Sequence, residues 1–308
     1  MRNNGKYLII KVLIVVISVM GLAVAEKNSS ISIELDNEIQ QMADDFLDLK
    51  PMRGFNYKNI TLTEAYLWQG KMADYLGKKY GPIVGYKTGG HNVGPSFPTF
   101  PKGGVRGLLL KEMLLSSNSS VHLDSTKRGF LEADFAFRVR DDSINYAQNE
   151  MELLAGLDAI IPFAEIPDPY YEEGTRSVNG TVVSNMGSRF SFMGMPVLID
   201  STESWVNKIN NFTFAVHNEE GDLIEKGKIK GWYKPLEVVG WLRDHLLSSG
   251  IKLKTGDILS LGNIGIIRQL HPNSPRGPAY KSNSFILSYY GLSDQPMNVT
   301  INVARDEL

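Results

Sequence analysis

The chain contains no cysteine, which excludes disulfides and a lipid-modified cysteine alike. It has no basic stripe, and Lys and Arg (32) are slightly outnumbered by Asp and Glu (34). That balance argues against nucleic acid as a partner. No internal repeat and no low-complexity linker breaks it up, and no second hydrophobic segment follows the run Val12–Leu22. The histidines His122, His217, His245 and His271 have no mutual spacing that suggests a metal site and read as structural.

What is present begins with the first 25 residues. Arg2, Lys6 and Lys11 precede the apolar run, which ends in Ala23-Val-Ala25. A positive start, a short apolar stretch and a small-x-small site make an export signal, with an uncleaved anchor as the alternative. The run is too short for a comfortable membrane span, so no stable membrane insertion is expected after cleavage. Removing residues 1–25 leaves 29 basic against 34 acidic residues, a charge near −5. The last four residues, Arg305-Asp-Glu-Leu308, resemble the signal that retrieves proteins to the endoplasmic reticulum. Sequons at Asn28, Asn59, Asn118, Asn179, Asn211 and Asn298 arise cheaply in an Asn- and Ser-rich chain. A bacterial periplasmic or secreted protein is the favoured expectation, with the endoplasmic-reticulum lumen as the eukaryotic alternative.

The expected organisation is a signal peptide over 1–25, a helical segment over 26–82 and a larger domain over 83–308. Ile39, Met42, Phe46 and Leu49 fall at helical spacing within 31–50. A capping box, Thr61-Leu-Thr-Glu64, opens a second helix with Ala65, Trp68, Met72, Tyr75 and Leu76 on one face. From Ile83 onward short β-like runs are broken by Gly and Pro. Val105–Met113, Phe130–Val139, Phe212–His217, Ile258–Leu261 and Ser284–Tyr290 read as strands. A late helix runs from Pro235 to Gly250. The fold class is α+β, dominated by mixed sheet.

Three carboxylates stand out. In Leu131-Glu-Ala-Asp-Phe-Ala-Phe-Arg-Val139, strand alternation places Glu132 and Asp134 on one face. Glu165 interrupts the apolar run Ile160-Ile-Pro-Phe-Ala-Glu165-Ile-Pro. A Glu-x-Asp pair is commonly a solvated face, but an acid inside an apolar run normally has a partner or a metal. Three carboxylates on one face repel unless a positive charge lies between them, and a hard divalent cation prefers oxygen ligands.

Read in order, several segments resemble the fumarylacetoacetate hydrolase superfamily, in its branch of 2-oxo-4-pentenoate hydratases and 4-oxalocrotonate decarboxylases. They are Val84-Gly-Tyr-Lys87-Thr-Gly89, Gly107-Leu-Leu-Leu-Lys-Glu112-Met113, Leu131–Phe137, Ala164-Glu-Ile-Pro-Asp168, Ser184-Asn185 and Leu253-Lys-Thr-Gly-Asp-Ile-Leu259. The resemblance spans about residues 60–303. It implies a mixed β-sheet roll with an N-terminal helical lead-in. It also implies Mg2+ (or Mn2+) held by Glu132, Asp134 and Glu165, and Lys87 and Glu112 acting on substrate. The implied activity is hydration of a small unsaturated 2-oxo acid through a metal-stabilised enolate. Decarboxylation, C–C hydrolysis or a non-catalytic oxo-acid or metal binder are the alternatives, and a homo-oligomer is possible.

Departures from the family pattern are specific. Asp134 stands for the usual second Glu, and Glu112 for the usual Asp before Met. Ser184-Asn185-Met186-Gly187 lacks the family's substrate-contacting Ser, leaving Asn185 and neighbouring Ser188 as the expected substrate contacts. His91 replaces the usual Thr after Lys-x-Gly; it reads either as a general base, since histidine titrates near neutrality, or as a surface-loop residue.

Overall fold

The structure, a computed structural model, describes residues 34–53, 60–91, 101, 103–230, 233–271 and 280–305. The export segment over 1–25 and the last three residues lie outside them, as does most of the loop over 271–278. Among the described residues no helix is long and apolar enough to cross a membrane.

The helical lead-in comprises α1 over residues 34–47 and α2, Leu62–Tyr80. The expected capping box is formed: the Glu64 amide donates to Thr61 Oγ1 (3.2 Å) and Thr61 N–H to Glu64 Oε2 (2.6 Å). Gly81, at φ 73°, ends the helix in a conformation that glycine reaches without a Cβ clash. Ile39, Met42 and Phe46 of α1 and Met72 and Leu76 of α2 are buried in one continuous core with the sheet residues Phe135, Phe137, Val216 and Phe285. Gln69, fully buried on α2, donates to the carbonyls of Arg106 and Val182, both at 2.9 Å. Three short helices that sequence periodicity does not reveal follow: α3 (Glu150–Ala155), α4 (Val178–Val183) and α5 (Glu203–Asn211). Each is opened by a side-chain cap, from Asn149, Ser177 and Thr202. Helix α6 runs Pro235–Ser248 with proline in its first turn, as expected.

The strands are β1 (Ile83–Gly89), β2 (Val105–Leu110), β3 (Leu114–Ser116), β4 (Ser120–His122), β5 (Phe130–Val139), β6 (Leu157–Ile166) and β7 (Phe190–Met193). They continue with β8 (Val197–Leu198), β9 (Thr213–Asn218), β10 (Leu223–Lys228), β11 (Ile258–Ser260), β12 (Arg268–Gln269), β13 (Ser284–Tyr290) and β14 (Met297–Ala304). A five-stranded sheet has the order β10-β9-β13-β14-β4. The larger sheet has the order β2-β1-β11-β5-β6-β7-β3, with β12 on β5 and β8 on β6. Pairs β1–β11 and β3–β7 are parallel and the rest of that path is antiparallel. The expected strand over 105–113 stops at Leu110, because Lys111–Met113 form a single tight turn. That turn leads directly from β2 to β3, the two ends of the path, so the sheet curls into a roll.

The roll has two faces. Leu131, Ala133, Phe135 and Phe137 of β5 point outward into the main core. The other face carries a separate small apolar cluster of Leu109, Ala136, Ile161, Phe163 and Ile258, backed by Leu114 and Met193. Strand alternation adds Glu132, Asp134 and Glu165 to this inner face, together with Lys87 and Ser260 through the β1–β11 and β11–β5 registers. The polar group therefore caps one end of a dry plug.

Candidate active site

Register brings the three acids together. On the β5–β6 pair Glu132 lies opposite Glu165 and Asp134 opposite Phe163. Strand β11 places Ser260 opposite Ala136 of β5 and alongside Lys87 of β1. Lys87 (3% exposed) donates to Glu165 Oε2 in a buried ion pair. Asp134 (0% exposed) is gripped by three donors: the Phe135 amide at 2.6 Å, the Ser260 hydroxyl at 2.6 Å and the Gly262 amide at 3.1 Å. Ser260 Oγ is also 3.3 Å from Glu165 Oε1; its single proton serves the shorter contact to Asp134. The single hydroxyl proton of Tyr289, from the second sheet, lies between the backbone carbonyls of Asp134 and Phe163 and fixes the β5–β6 pair from behind.

Burial pulls the Lys87 amine down, but Glu165 and then Glu132 and Asp134 outweigh it and hold the amine above its ordinary value, as an ammonium. Burial first, and then the neighbouring Glu165, push the Asp134 carboxyl well above the usual carboxylate range, against the opposing donors Ser260 and Phe135 and the Lys87 charge. Two buried acids, Asp134 and Glu165, and the half-buried Glu132 thus gather around one buried ammonium, Lys87. The donor set fits a hard divalent cation in kind and in charge. Among the described residues, however, no three His, Cys, Asp or Glu side chains stand at metal-binding spacing. The contacts explain why: Lys87 takes up Glu165, and Phe135, Ser260 and Gly262 hold Asp134.

Above this floor opens a cavity of about 540 Å³. Lys87 and Glu132 line it, with Phe130, Pro167 and Met186 as apolar wall and Arg176, Lys230 and Asn263 as polar wall. His91 lines it too, half-buried between Trp241 and Tyr233. Its Nδ1 lies 2.6 Å from the Gly103 carbonyl, which can only accept, so Nδ1 carries the proton and Nε2 keeps its lone pair. Burial lowers the imidazole's pKa below its ordinary value, favouring the neutral form.

Three expected site residues are placed elsewhere. Glu112 sits in the turn after β2, exposed and 3.4 Å from Lys111. Gly107 is opposite Lys87, whereas Leu110 is opposite Ile83, so the strand carries Glu112 away from the acids by about 10 Å before the turn begins. Asn185 is fully buried, and its amide clamps Leu108 by accepting from the amide (2.7 Å) and donating to the carbonyl (2.9 Å). Its amide is engaged by backbone, and it does not line the cavity. Ser188 is 3% exposed and does not line the cavity. Sequence reasoning missed Ser260, Met186 and Arg176. A lone hydroxyl in the apolar run Ile258–Leu261 was the available signal for the first; the others sit on loops with no periodic pattern.

No family model matches the chain, and no curated protein matches it in sequence. Several solved structures are similar in fold, two of them over nearly the whole of their own length. One is 4-oxalocrotonate decarboxylase from Pseudomonas putida G7 complexed with calcium and acetate, at TM-score 0.74 and 15% identity, covering 89% of this chain and 98% of that one. The other is the same enzyme complexed with magnesium and adipate, at TM-score 0.73 and 16% identity, with the same coverage. The α+β roll of mixed sheet with a helical lead-in, expected from the motifs, is the fold observed, and this chain shares it with that decarboxylase.

Proposed function

We propose that this chain is an exported, divalent-metal-dependent enzyme acting on a small unsaturated 2-oxo acid, in the manner of a 2-oxopent-4-enoate hydratase. The observation that carries the reading is the convergence of three acids, Glu132, Asp134 and Glu165, with Lys87 at the floor of an open cavity. Glu132, Asp134 and Glu165 would hold Mg2+ or Mn2+, which supplies Lewis-acid polarisation of a 2-oxo group. Lys87, already held as an ammonium, neutralises the substrate carboxylate. His91, in the cavity lining with an unprotonated Nε2, accepts or returns a proton as the substrate's conjugated chain rearranges. The apolar wall of Phe130, Pro167 and Met186 excludes water from the carbon chain. Export rests on the sequence over 1–25 and makes the periplasm or the cell exterior the compartment.

Decarboxylation is the second reading, favoured by the name of the enzyme whose fold this chain shares. Purified protein with Mg2+ is to be assayed against 2-hydroxypenta-2,4-dienoate and against 4-oxalocrotonate. Consumption of the dienoate without CO2 release supports hydration, and CO2 from the oxalocrotonate supports decarboxylation. Failure to turn over either, with calorimetry showing no Mg2+ binding, refutes both readings.

A further inference from the structure

The cavity wall contains an unusual run of backbone. Asn185 (φ 54°), Met186 (φ 59°) and Gly187 (φ 67°) are successively left-handed. Glycine adopts this region freely and asparagine tolerates it, but a methionine there is strained, and such strain persists only where the surroundings impose it. Here they do. The Asn185 amide is clamped to both backbone groups of Leu108. The Gly187 carbonyl accepts from the Asp168 amide at 2.8 Å, and a Cβ on Gly187 would lie 2.8 Å from the Pro169 backbone.

The effect of this turn is to place one side chain. Met186 is swung over a bare shelf made by Gly89 of β1 and Gly107 of β2. A Cβ on Gly89 would collide with Met186 Cε. A Cβ on Gly107 would lie 3.2 Å from Met186 Sδ and 2.9 Å from Lys87 Cγ. The thioether therefore fills a notch that two glycines leave open, beside the stem of Lys87, with one side toward the cavity. Nothing in the proposed chemistry uses a sulfur, so its contribution is shape.

We propose that Met186 is a specificity-determining residue, setting the bulk that the cavity accepts next to the Lys87 ammonium. With Met186 in place the cavity takes a slender, unbranched 2-oxo acid and rejects one with a bulky group adjoining the oxo-acid end. The inference rests on the reading of the cavity as a 2-oxo-acid site.

The test is calorimetric binding of oxalate and of phenylpyruvate, with Mg2+ present, to the parent and to Met186→Ala, Met186→Gly and Met186→Leu. Oxalate, which has no side group, is expected to bind all four proteins within about twofold. Phenylpyruvate is expected to bind the Ala and Gly variants at least tenfold more tightly than the parent, while Leu, of similar volume, stays at the parent's value. The Gly variant keeps the test open if Ala folds poorly, because glycine tolerates the positive φ. Phenylpyruvate affinities that do not change on truncation overturn the inference while oxalate binding leaves the site reading standing. If the parent binds neither ligand, the oxo-acid reading fails and takes the inference with it.

Discussion

Replacing Lys87 by methionine removes an ammonium that is 3% exposed and leaves Glu132, Asp134 and Glu165 facing one another. The volume is nearly conserved, so the effect is electrostatic. Deleting one partner of a buried ion pair costs about 3–5 kcal/mol, because the remaining charge is stranded. For a chain of this size roughly 2–4 °C of melting temperature accompanies each kcal/mol. Without added metal, Lys87→Met is therefore expected to melt about 10 °C below the parent. A divalent ion offsets the same stranded charge. Saturating Mg2+ at about 100 times Kd contributes roughly 2.7 kcal/mol to any protein that binds it only when folded. The variant is expected to bind more tightly than the parent, since a nearby positive charge is gone, and to recover more of its stability. Melting curves in EDTA and in Mg2+, read by circular dichroism, test this. Equal melting temperatures for parent and variant in EDTA would refute the claim that Lys87 compensates these carboxylates. A variant that Mg2+ fails to rescue would refute the cation reading while leaving the ion pair intact. On substrate, the same change is expected to raise KM for the oxo acid strongly.

Glu132→Ala and Glu165→Ala are each expected to abolish Mn2+ binding, measured by electron paramagnetic resonance, while circular dichroism shows the fold retained. Asp134→Glu, which restores the reach of the family pattern, is expected to keep or tighten Mn2+ binding in the same titration. Ser260→Ala removes a fully buried donor from Asp134 and is expected to cost about 1–3 kcal/mol in urea unfolding. His245, whose pKa burial and the Arg106 charge lower to about 4, stays neutral in the fold while the unfolded chain takes a proton near 6.5. Because the unfolded state binds more protons, stability is expected to fall as pH drops from about 6.5 toward 4; His245→Gln should flatten that stretch of the urea-midpoint profile.

Much of the fold was legible where local signals agreed. The Thr61–Glu64 capping box, the proline opening α6 and the strand over Phe130–Val139 are each read from adjacent residues, and the structure keeps all three. Strand β6 reads in sequence only as an apolar run, since a strand buried on both faces loses its period-2 signature. The helices α3, α4 and α5, six to nine residues long, fit too few turns to show a helical period.

The site was legible to the extent that it lies on strands. Alternation alone puts Glu132 and Asp134 on one face, and an acid in an apolar run marks Glu165, but only pairing decides what stands opposite. The β5–β6 register turns three scattered acids into a cluster, and the β1–β11 register delivers Lys87 and Ser260 to it. The same kind of register removes Glu112: β2 runs antiparallel to β1, so each residue beyond Gly107 moves farther from Lys87. Motif order along the chain carries no such direction. Asn185 shows the complementary limit, because an amide side chain serves a backbone as well as a ligand, and only the position of Leu108 tells which. By spending Asn185 on that clamp, the fold holds the left-handed turn and its strained methionine in place, and it is the neighbouring Met186 that reaches the cavity.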